Sequence, residues 1–178
     1  MAKTAVFTFG RMNPPTVGHE KLVNKVRKVS KIVKGTPYVF LSKTSDKKKN
    51  PLLYRDKLKY AKNAFGNIVQ DHKGRNIFDL MKDLEKRFDS VNMVVGSDRV
   101  SEFESLLNKY NGKEYDFDSI TITSAGQRDP DEEGLAGMSA SKMRQAATDD
   151  DFDLFKKGLP GPLQRNAKKV YDTIRKNL

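Results

Sequence analysis

Hydrophobic and polar positions alternate along the chain in two ways, one typical of buried strands and one typical of amphipathic helices. Short β-rich apolar runs predict five strands, at residues 5–9, 37–42, 67–70, 91–98 and 120–123. Apolar residues spaced three and four apart predict helices at residues 18–34, 52–65, 76–88, 149–157 and 163–178, with two more after residues 98 and 138. This alternation predicts a Rossmann-like, doubly wound, mostly parallel five-stranded sheet with helices on both faces and a C-terminal helical extension.

The 178 residues are enough for one α/β domain, which we expect over residues 1–148, with helices at 149–178 packed on the same domain. The absence of cysteine excludes disulfides, cysteine-based zinc sites and cysteine nucleophiles. No apolar run approaches the roughly 18–20 residues of a membrane span, and the N-terminus has no signal-peptide pattern. A soluble, cytoplasmic protein without a membrane partner is the resulting expectation.

The net charge of +11 is distributed unevenly. Residues 1–64 contain 16 Lys or Arg and 3 Asp or Glu, whereas residues 65–178 contain 18 and 20. The basic half indicates a polyanionic partner, either nucleotide phosphates or nucleic acid, unless its lysines form a solvated surface. The run Lys47–Lys49 is predicted to be either a solvated loop or a flexible basic flap over a triphosphate.

The segment from Thr4 to Leu22 joins the first strand to the first helix through Gly10 and two prolines. A strand, a bend and a helix start can aim backbone N–H groups at an anion. Arg11 adds a cation to this bend and His19 adds an imidazole. We therefore predict a phosphate-handling turn; the alternative is an ordinary strand–helix turn in which His19 caps the helix.

Two further segments carry candidate chemistry. Asp98 follows a strand-end glycine, Gly96, where ligands of open α/β sheets gather, so it is placed to hold a ribose or base; it could also cap the next helix. The other histidine of the chain, His72, lies in a polar stretch and is expected at the surface.

The segment Met138–Arg144 predicts a helix start with Ser139 as the N-cap. Lys142 stands where a capping box would place Glu or Gln, and Arg144 adds a second cation. Each costs up to about 1 kcal/mol at the positive end of a helix dipole, so the arrangement favours a bound polyanion. A triphosphate would take hydroxyls from Ser139 and Ser141, backbone N–H groups and the two cations.

These segments resemble the signatures of a known superfamily. Gly10-Arg-Met-Asn-Pro-Pro-Thr-Val-Gly-His19 is similar to the first signature of the nucleotidyltransferase α/β-phosphodiesterases, whose usual form ends in (His/Thr)-x-Gly-His. Met138-Ser-Ala-Ser-Lys-Met-Arg144 resembles the second, Ile-Ser-x-Thr-x-x-Arg, with Met for Ile and Ser for Thr. Gly96-Ser97-Asp98 resembles the superfamily's Gly-x-Asp, and the resemblance covers residues 4–147. The Asn-Pro-Pro is most similar to the nicotinamide/nicotinate mononucleotide adenylyltransferases.

The resemblance implies an enzyme that joins the α-phosphate of a nucleoside triphosphate, ATP, to a phosphate-bearing acceptor such as nicotinamide mononucleotide and releases pyrophosphate, a step of NAD biosynthesis. It implies catalytic roles for Thr16, His19 and Arg144. The implied nucleotide-binding residues are Gly10, Arg11, Met12, Gly18, His19, Gly96, Asp98, Ser139, Ser141, Lys142 and Arg144. No residue is assigned as a metal ligand, since Mg²⁺ is expected to be held mainly by substrate phosphates and water.

The acceptor and the base stay open. Cytidylyltransferases of the superfamily carry an arginine where this chain has Gly134, which favours ATP, but a cytidylyltransferase acting on an alcohol phosphate is an alternative. Without tryptophan, Phe103 or Tyr54 would have to stack on a pyridine ring, and pantetheine-phosphate acceptors are possible. The chain is also similar to uncharacterised bacteriophage proteins labelled cytidylyltransferase-like; the location would then be a host cytoplasm.

An alternative from a different class is a catalytically inert nucleic-acid-binding or scaffold protein on this fold. The basic N-terminal half motivates it, but no recognisable nucleic-acid module supports it, so nucleic acid is possible and not favoured as a partner. The oligomeric state does not follow from the sequence.

Overall fold

A computed structural model describes residues 3–44, 49–126 and 138–178. The elements of these residues are β1 (Thr4–Gly10), α1 (Val17–Val33), β2 (Thr36–Leu41), α2 (Tyr54–Phe65), α3 (Ile77–Glu85), β3 (Ser90–Val95), α4 (Val100–Lys109), β4 (Ser119–Ser124), α5 (Ala140–Thr148), α6 (Phe152–Gly158) and α7 (Ala167–Asn177). Short 3₁₀ turns lie at Gly66–Ile68, Ser97–Arg99 and Gly161–Asn166. Within the described ranges, no helix is long and apolar enough to cross a membrane. Lys47 and Lys48 of the predicted flap, and Gly134, lie outside these ranges.

The strands form one sheet in the order β2-β1-β3-β4. β1 pairs in parallel with β3, from Thr4 opposite Ser90 to Phe7 opposite Met93, and β3 pairs in parallel with β4. The prediction of an α/β fold around a parallel sheet, with the strand after Thr4 inside it, is confirmed.

The strand predicted at residues 67–70 is not formed, so the sheet has four strands in the described part of the chain. After α2 the backbone enters the turn Gly66–Ile68, with Gly66 at a φ of 82°, and the N–H of Val69 bonds back to the Gly66 carbonyl at 3.2 Å. Of residues 67–70, only the buried Val69 is a bridge residue, and the N–H of Gln70 donates to the Val39 carbonyl of β2 at 3.0 Å. The turn at Gly66–Ile68 occupies the residues that a full strand would need.

The chain divides into two compact units. The first comprises residues 1–9, 22–40 and 70–127 and holds most of the sheet; the second comprises residues 10–21, 41–69 and 128–178. In the first unit, successive β1 residues point to opposite faces of the sheet. Phe7 joins a cluster with Leu80 of α3 and Leu107 of α4, whereas Val6 joins a cluster with Val26 of α1.

The second unit has its own core, built from the C-terminal helices. Phe155 of α6 packs edge-on against Tyr171 of α7, with ring centroids 5.3 Å apart. A Cβ at Gly158 would lie 2.2 Å from the Met143 sulfur, so the glycine lets α6 approach α5 closely. The last helix begins at Ala167 rather than Leu163, because the segment after Pro160 forms a 3₁₀ turn first.

Candidate functional site

The loop between β1 and α1 belongs to the second unit and is tightly folded. Arg11 is exposed, but the following residues to Thr16 are buried. Met12 adopts a φ of 43°, a region that non-glycine residues rarely occupy and that recurs at functional sites. The whole residue is only 1% exposed, so the structure offers no exposed surface of Met12 to a ligand, and its predicted nucleotide contact stays a prediction.

Asn13 fixes this loop against the segment that precedes α2. Its fully buried side chain donates to the Leu52 carbonyl at 3.2 Å and accepts from the Leu52 N–H at 2.8 Å. With these two bonds, the Asn13 side chain binds the backbone N–H and carbonyl of Leu52 as a neighbouring strand would. Sequence reasoning missed this role, because an asparagine before two prolines is typical of a plain turn.

Thr16 and His19 cap the first helix reciprocally. The Thr16 hydroxyl oxygen accepts from the Gly18 N–H at 3.1 Å, and the Thr16 N–H donates to His19 Nδ1 at 3.0 Å. A nitrogen that accepts a hydrogen bond carries no proton in the neutral ring, so this contact assigns the ring proton to Nε2. His19 is therefore a helix cap and, through Nε2–H, an oriented hydrogen-bond donor; the two interpretations of the sequence are compatible.

The start of α5 agrees in part with prediction. Ser139 is the N-cap, as predicted, and its hydroxyl accepts from the Lys142 N–H at 3.2 Å. The helix begins at Ala140, so Arg144 lies in its second turn and not in the first, where the sequence had placed it. Lys142 is therefore the one cation in the first turn of this helix. The side chains of Ser141 and Lys142 are exposed.

Arg144 joins the two signature-like segments. Its Nη1 donates to the Asn13 carbonyl at 2.9 Å, across 131 positions of sequence, and its Nη2 donates to the Ser141 hydroxyl at 3.2 Å. Loop and helix start thus meet within the second unit. A protein carbonyl already accepts from Arg144, so its position does not require a bound polyanion, and phosphate binding by Arg144 stays a prediction.

This contact predicts a structural role for Arg144 in addition to any ligand. Arg144→Gln should lower the free energy of unfolding by about 1.5–2 kcal/mol, because a charge-assisted bond to a carbonyl of the buried loop is lost. Lys142→Gln, at the exposed neighbour, should change it by less than about 0.5 kcal/mol. Urea titrations of both variants measure the effect; equal stability of the Arg144 variant and the wild type would contradict it.

Lys57 is a functional candidate that sequence reasoning missed. Its side chain in α2 is fully buried, and Nζ donates to the Ser42 carbonyl at 2.6 Å and the Ser42 hydroxyl at 3.4 Å. Burial, together with the smaller effect of the Arg11 charge, lowers the pKa of Lys57 to about 8. The signal was present, since Lys57 lies on the helical stripe whose other members are Tyr60, Ala61, Ala64 and Phe65.

Gly96 and Asp98 belong to the first unit, and they follow β3 as predicted. Asp98 is exposed within the turn Ser97–Arg99, and a Cβ on Gly96 would meet its Oδ1 at 2.9 Å, so the carboxylate folds back over the glycine. The N-cap position of α4 is Arg99 without a side-chain cap, so the alternative in which Asp98 caps this helix is wrong. Nucleoside binding by Asp98 stays a prediction.

His72 is buried rather than at the surface, which corrects the sequence-based expectation. Its ring lies edge-on to Phe9 and Phe40, with centroids 6.1 and 5.8 Å away, in the first unit. The residues next to His72 in the sequence are polar and gave no sign of burial. Its contacts depend on Phe9 of β1 and Phe40 of β2, which are distant in sequence.

The two rings considered for stacking differ in accessibility. Phe103 is 9% exposed in the first unit's core, with the Arg99 guanidinium 4.8 Å from its centroid. Tyr54, the first residue of α2, is half-buried, with the Lys43 ammonium 5.1 Å from its centroid. Tyr54 is thus the more accessible ring, and it belongs to the same unit as the loop and α5.

The side chains of this site are cations and hydrogen-bond donors, so they suit phosphate groups better than a metal ion. Among the residues that the structure describes, no group of three or more His, Asp or Glu is arranged to hold a metal. No protein-family model and no curated protein matches the chain.

Proposed function

We propose that this protein is a nucleotidyltransferase that joins the α-phosphate of a nucleoside triphosphate, ATP in the first instance, to a phosphate-bearing acceptor such as nicotinamide mononucleotide. The observation that carries the proposal is the 2.9 Å bond between Arg144 and the Asn13 carbonyl. It joins a helix start that carries exposed Lys142 to a loop that carries exposed Arg11 and the oriented imidazole of His19. Such a group of donors matches a triphosphate.

The proposed reaction is a direct displacement at phosphorus. An acceptor phosphate oxygen attacks the α-phosphorus, the bond from that phosphorus to the α,β-bridging oxygen breaks, and the electron pair leaves with pyrophosphate. The acceptor oxygen is already ionised at pH 7, so the reaction needs positioning and charge neutralisation rather than a general base. Mg²⁺ would be held by the phosphates of the nucleotide and by water, and it would neutralise part of the phosphate charge.

Each residue then has a defined task. His19 donates from Nε2–H to an oxygen of the α-phosphate, where negative charge grows in the transition state. Thr16 acts through His19, because its N–H bond to Nδ1 holds the ring and its proton in place. Lys142, Arg144 and the N–H groups at the start of α5 take the β- and γ-phosphates, with Ser139 and Ser141 beside them.

We also propose that the sheet is of the doubly wound, Rossmann-like kind. Support comes from the separate clusters of Phe7 and Val6, which involve different helices, and from the parallel pairing of β1 with β3. In such folds ligands bind at the carboxyl ends of the strands. Gly10 ends β1 and Gly96 directly follows β3, so each of the two glycines lies at the carboxyl end of its own strand.

A substrate panel tests the proposal. Each of the four nucleoside triphosphates, with Mg²⁺, is combined with nicotinamide mononucleotide, phosphopantetheine or an alcohol phosphate, and pyrophosphate release is measured. We expect release that requires both an acceptor and ATP; dependence on CTP would indicate the cytidylyltransferase alternative. No release in any combination, together with nucleic-acid binding that persists at moderate salt, would favour the scaffold alternative.

A further inference from the structure

Lys57 and Arg11 form a pair of cations within the second unit. The buried Lys57 ammonium donates to the Ser42 carbonyl at 2.6 Å, and the Ser42 N–H donates to the carbonyl of Gly10 at 2.9 Å, next to the exposed Arg11. The Arg11 charge accordingly acts on Lys57. In the described part of the chain, neither side chain makes an ion pair with a carboxylate. Two cations are therefore held near each other with one carbonyl and one hydroxyl as the acceptors of Lys57.

This arrangement is unfavourable in the protein without ligand. A buried charge without a counter-ion is costly, and proteins usually respond by discharging the group. With a pKa of about 8, Lys57 is nevertheless mostly an ammonium ion at pH 7. An anion beside Arg11 would supply the missing negative charge.

Among the residues that the structure describes, no carboxylate pairs with Lys57. The described segments that pack on α2 include the turn Gly66–Ile68, without an ionisable side chain, and the turn Gly161–Asn166, whose ionisable side chain is the exposed Arg165. Thr173 of α7 also bonds to Tyr60 of α2, and the neighbouring Asp172 is paired with Lys168. On α2 itself, the half-buried Asp56 is the adjacent residue, and it does not pair with Lys57. After burial, which has the larger effect, Arg11 is the charged group that lowers the pKa of Lys57.

We infer that Lys57 strengthens binding at the polyphosphate site through its charge rather than by direct contact, and that a nucleotide bound beside Arg11 draws a proton onto Lys57. The inference rests on the proposed function, since it takes the triphosphate as the anion. The bound phosphates offset the Arg11 charge and attract the ammonium, which raises the pKa of Lys57 by about one to two pH units. Nucleotide affinity should then fall about tenfold or more as the pH rises from 7 to 9.5.

Isothermal titration calorimetry can count the proton. Magnesium α,β-methylene-ATP, which cannot be cleaved at the transferred bond, is titrated at pH 8 in two buffers of different ionisation enthalpy. The wild type should take up about half a proton per nucleotide, because Lys57 is half protonated before binding and almost fully protonated afterwards. Lys57→Met should bind more weakly and take up none. Lys59→Met, an exposed lysine of the same helix, should behave as the wild type.

Lys57→Arg provides a second variant, since it keeps the cation and cannot titrate; it should bind without proton uptake. Wild-type binding without uptake, or undiminished uptake in Lys57→Met, would overturn the inference and leave the proposed function standing. No binding of the analogue between pH 7 and 9.5 would overturn both. Uptake without any turnover of ATP would support the inference and contradict the proposed chemistry.

Discussion

His19→Ala should lower turnover by about 10²–10³-fold while the protein stays folded. That is the scale of loss when one preorganised donor to a developing negative charge is removed. The structure gives the reason for preorganisation, because the Thr16 N–H bond to Nδ1 fixes the ring and places the proton on Nε2. The donor acts on the transition state, so kcat should fall much more than KM for the triphosphate rises. Steady-state kinetics at saturating Mg²⁺ measure both.

Two controls separate catalysis from helix capping. The alanine variant also loses the bond to Thr16, which should cost up to about 1 kcal/mol of stability, and a urea titration measures this directly. His19→Gln can still donate a hydrogen bond, so it should retain more turnover than His19→Ala. Near-normal turnover of the alanine variant would reduce His19 to a helix cap.

Lys57→Met should remove a pH dependence from the stability of the protein. The pKa of Lys57 is about 8 in the folded protein and 10.5, the ordinary lysine value, in the unfolded chain. Between these values the unfolded chain binds a proton that the folded protein does not. The free energy of unfolding therefore rises with pH in this window, by up to about 1.4 kcal/mol per pH unit, and methionine cannot contribute.

The measurement is the difference in unfolding free energy between the wild type and Lys57→Met, from urea titrations at pH 7.5, 9 and 10.5. This difference should shift in favour of the wild type by about 3 kcal/mol across the range. Taking the difference cancels the titration of the other lysines and tyrosines. Lys59→Met should follow the wild type in parallel, and a parallel curve for Lys57→Met would mean that Lys57 has an ordinary pKa.

Local pattern was sufficient for much of the fold. The apolar run that forms β1 and the N-cap Ser139 depend on near neighbours in sequence, and both were predicted correctly. The strand predicted at residues 67–70 is reduced to the bridge residue Val69, because a run of two apolar residues does not show that the chain first turns at Gly66–Ile68. His72 failed because its burial depends on Phe9 and Phe40, which are distant in sequence.

In the candidate site too, features set by near neighbours in sequence were predicted, and contacts between distant residues were not. The sequence predicted that His19 and Arg144 matter, but it could not predict that Arg144 donates to the Asn13 carbonyl, since that contact spans 131 positions. The side chain of Asn13 bonds to the backbone of Leu52, which no spacing rule indicates. Lys57 could have been found, because a lysine on an apolar helical stripe is a detectable anomaly.

The most direct test of the account follows the transferred phosphorus. ATP labelled at the α-phosphate is incubated with Mg²⁺, the protein and nicotinamide mononucleotide or another phosphate acceptor, and the products are separated. The account predicts that the label moves to the acceptor in one-to-one ratio with released pyrophosphate, and that His19→Ala nearly abolishes the transfer. Label that stays in ATP with every acceptor, or that appears in free AMP instead, would contradict it.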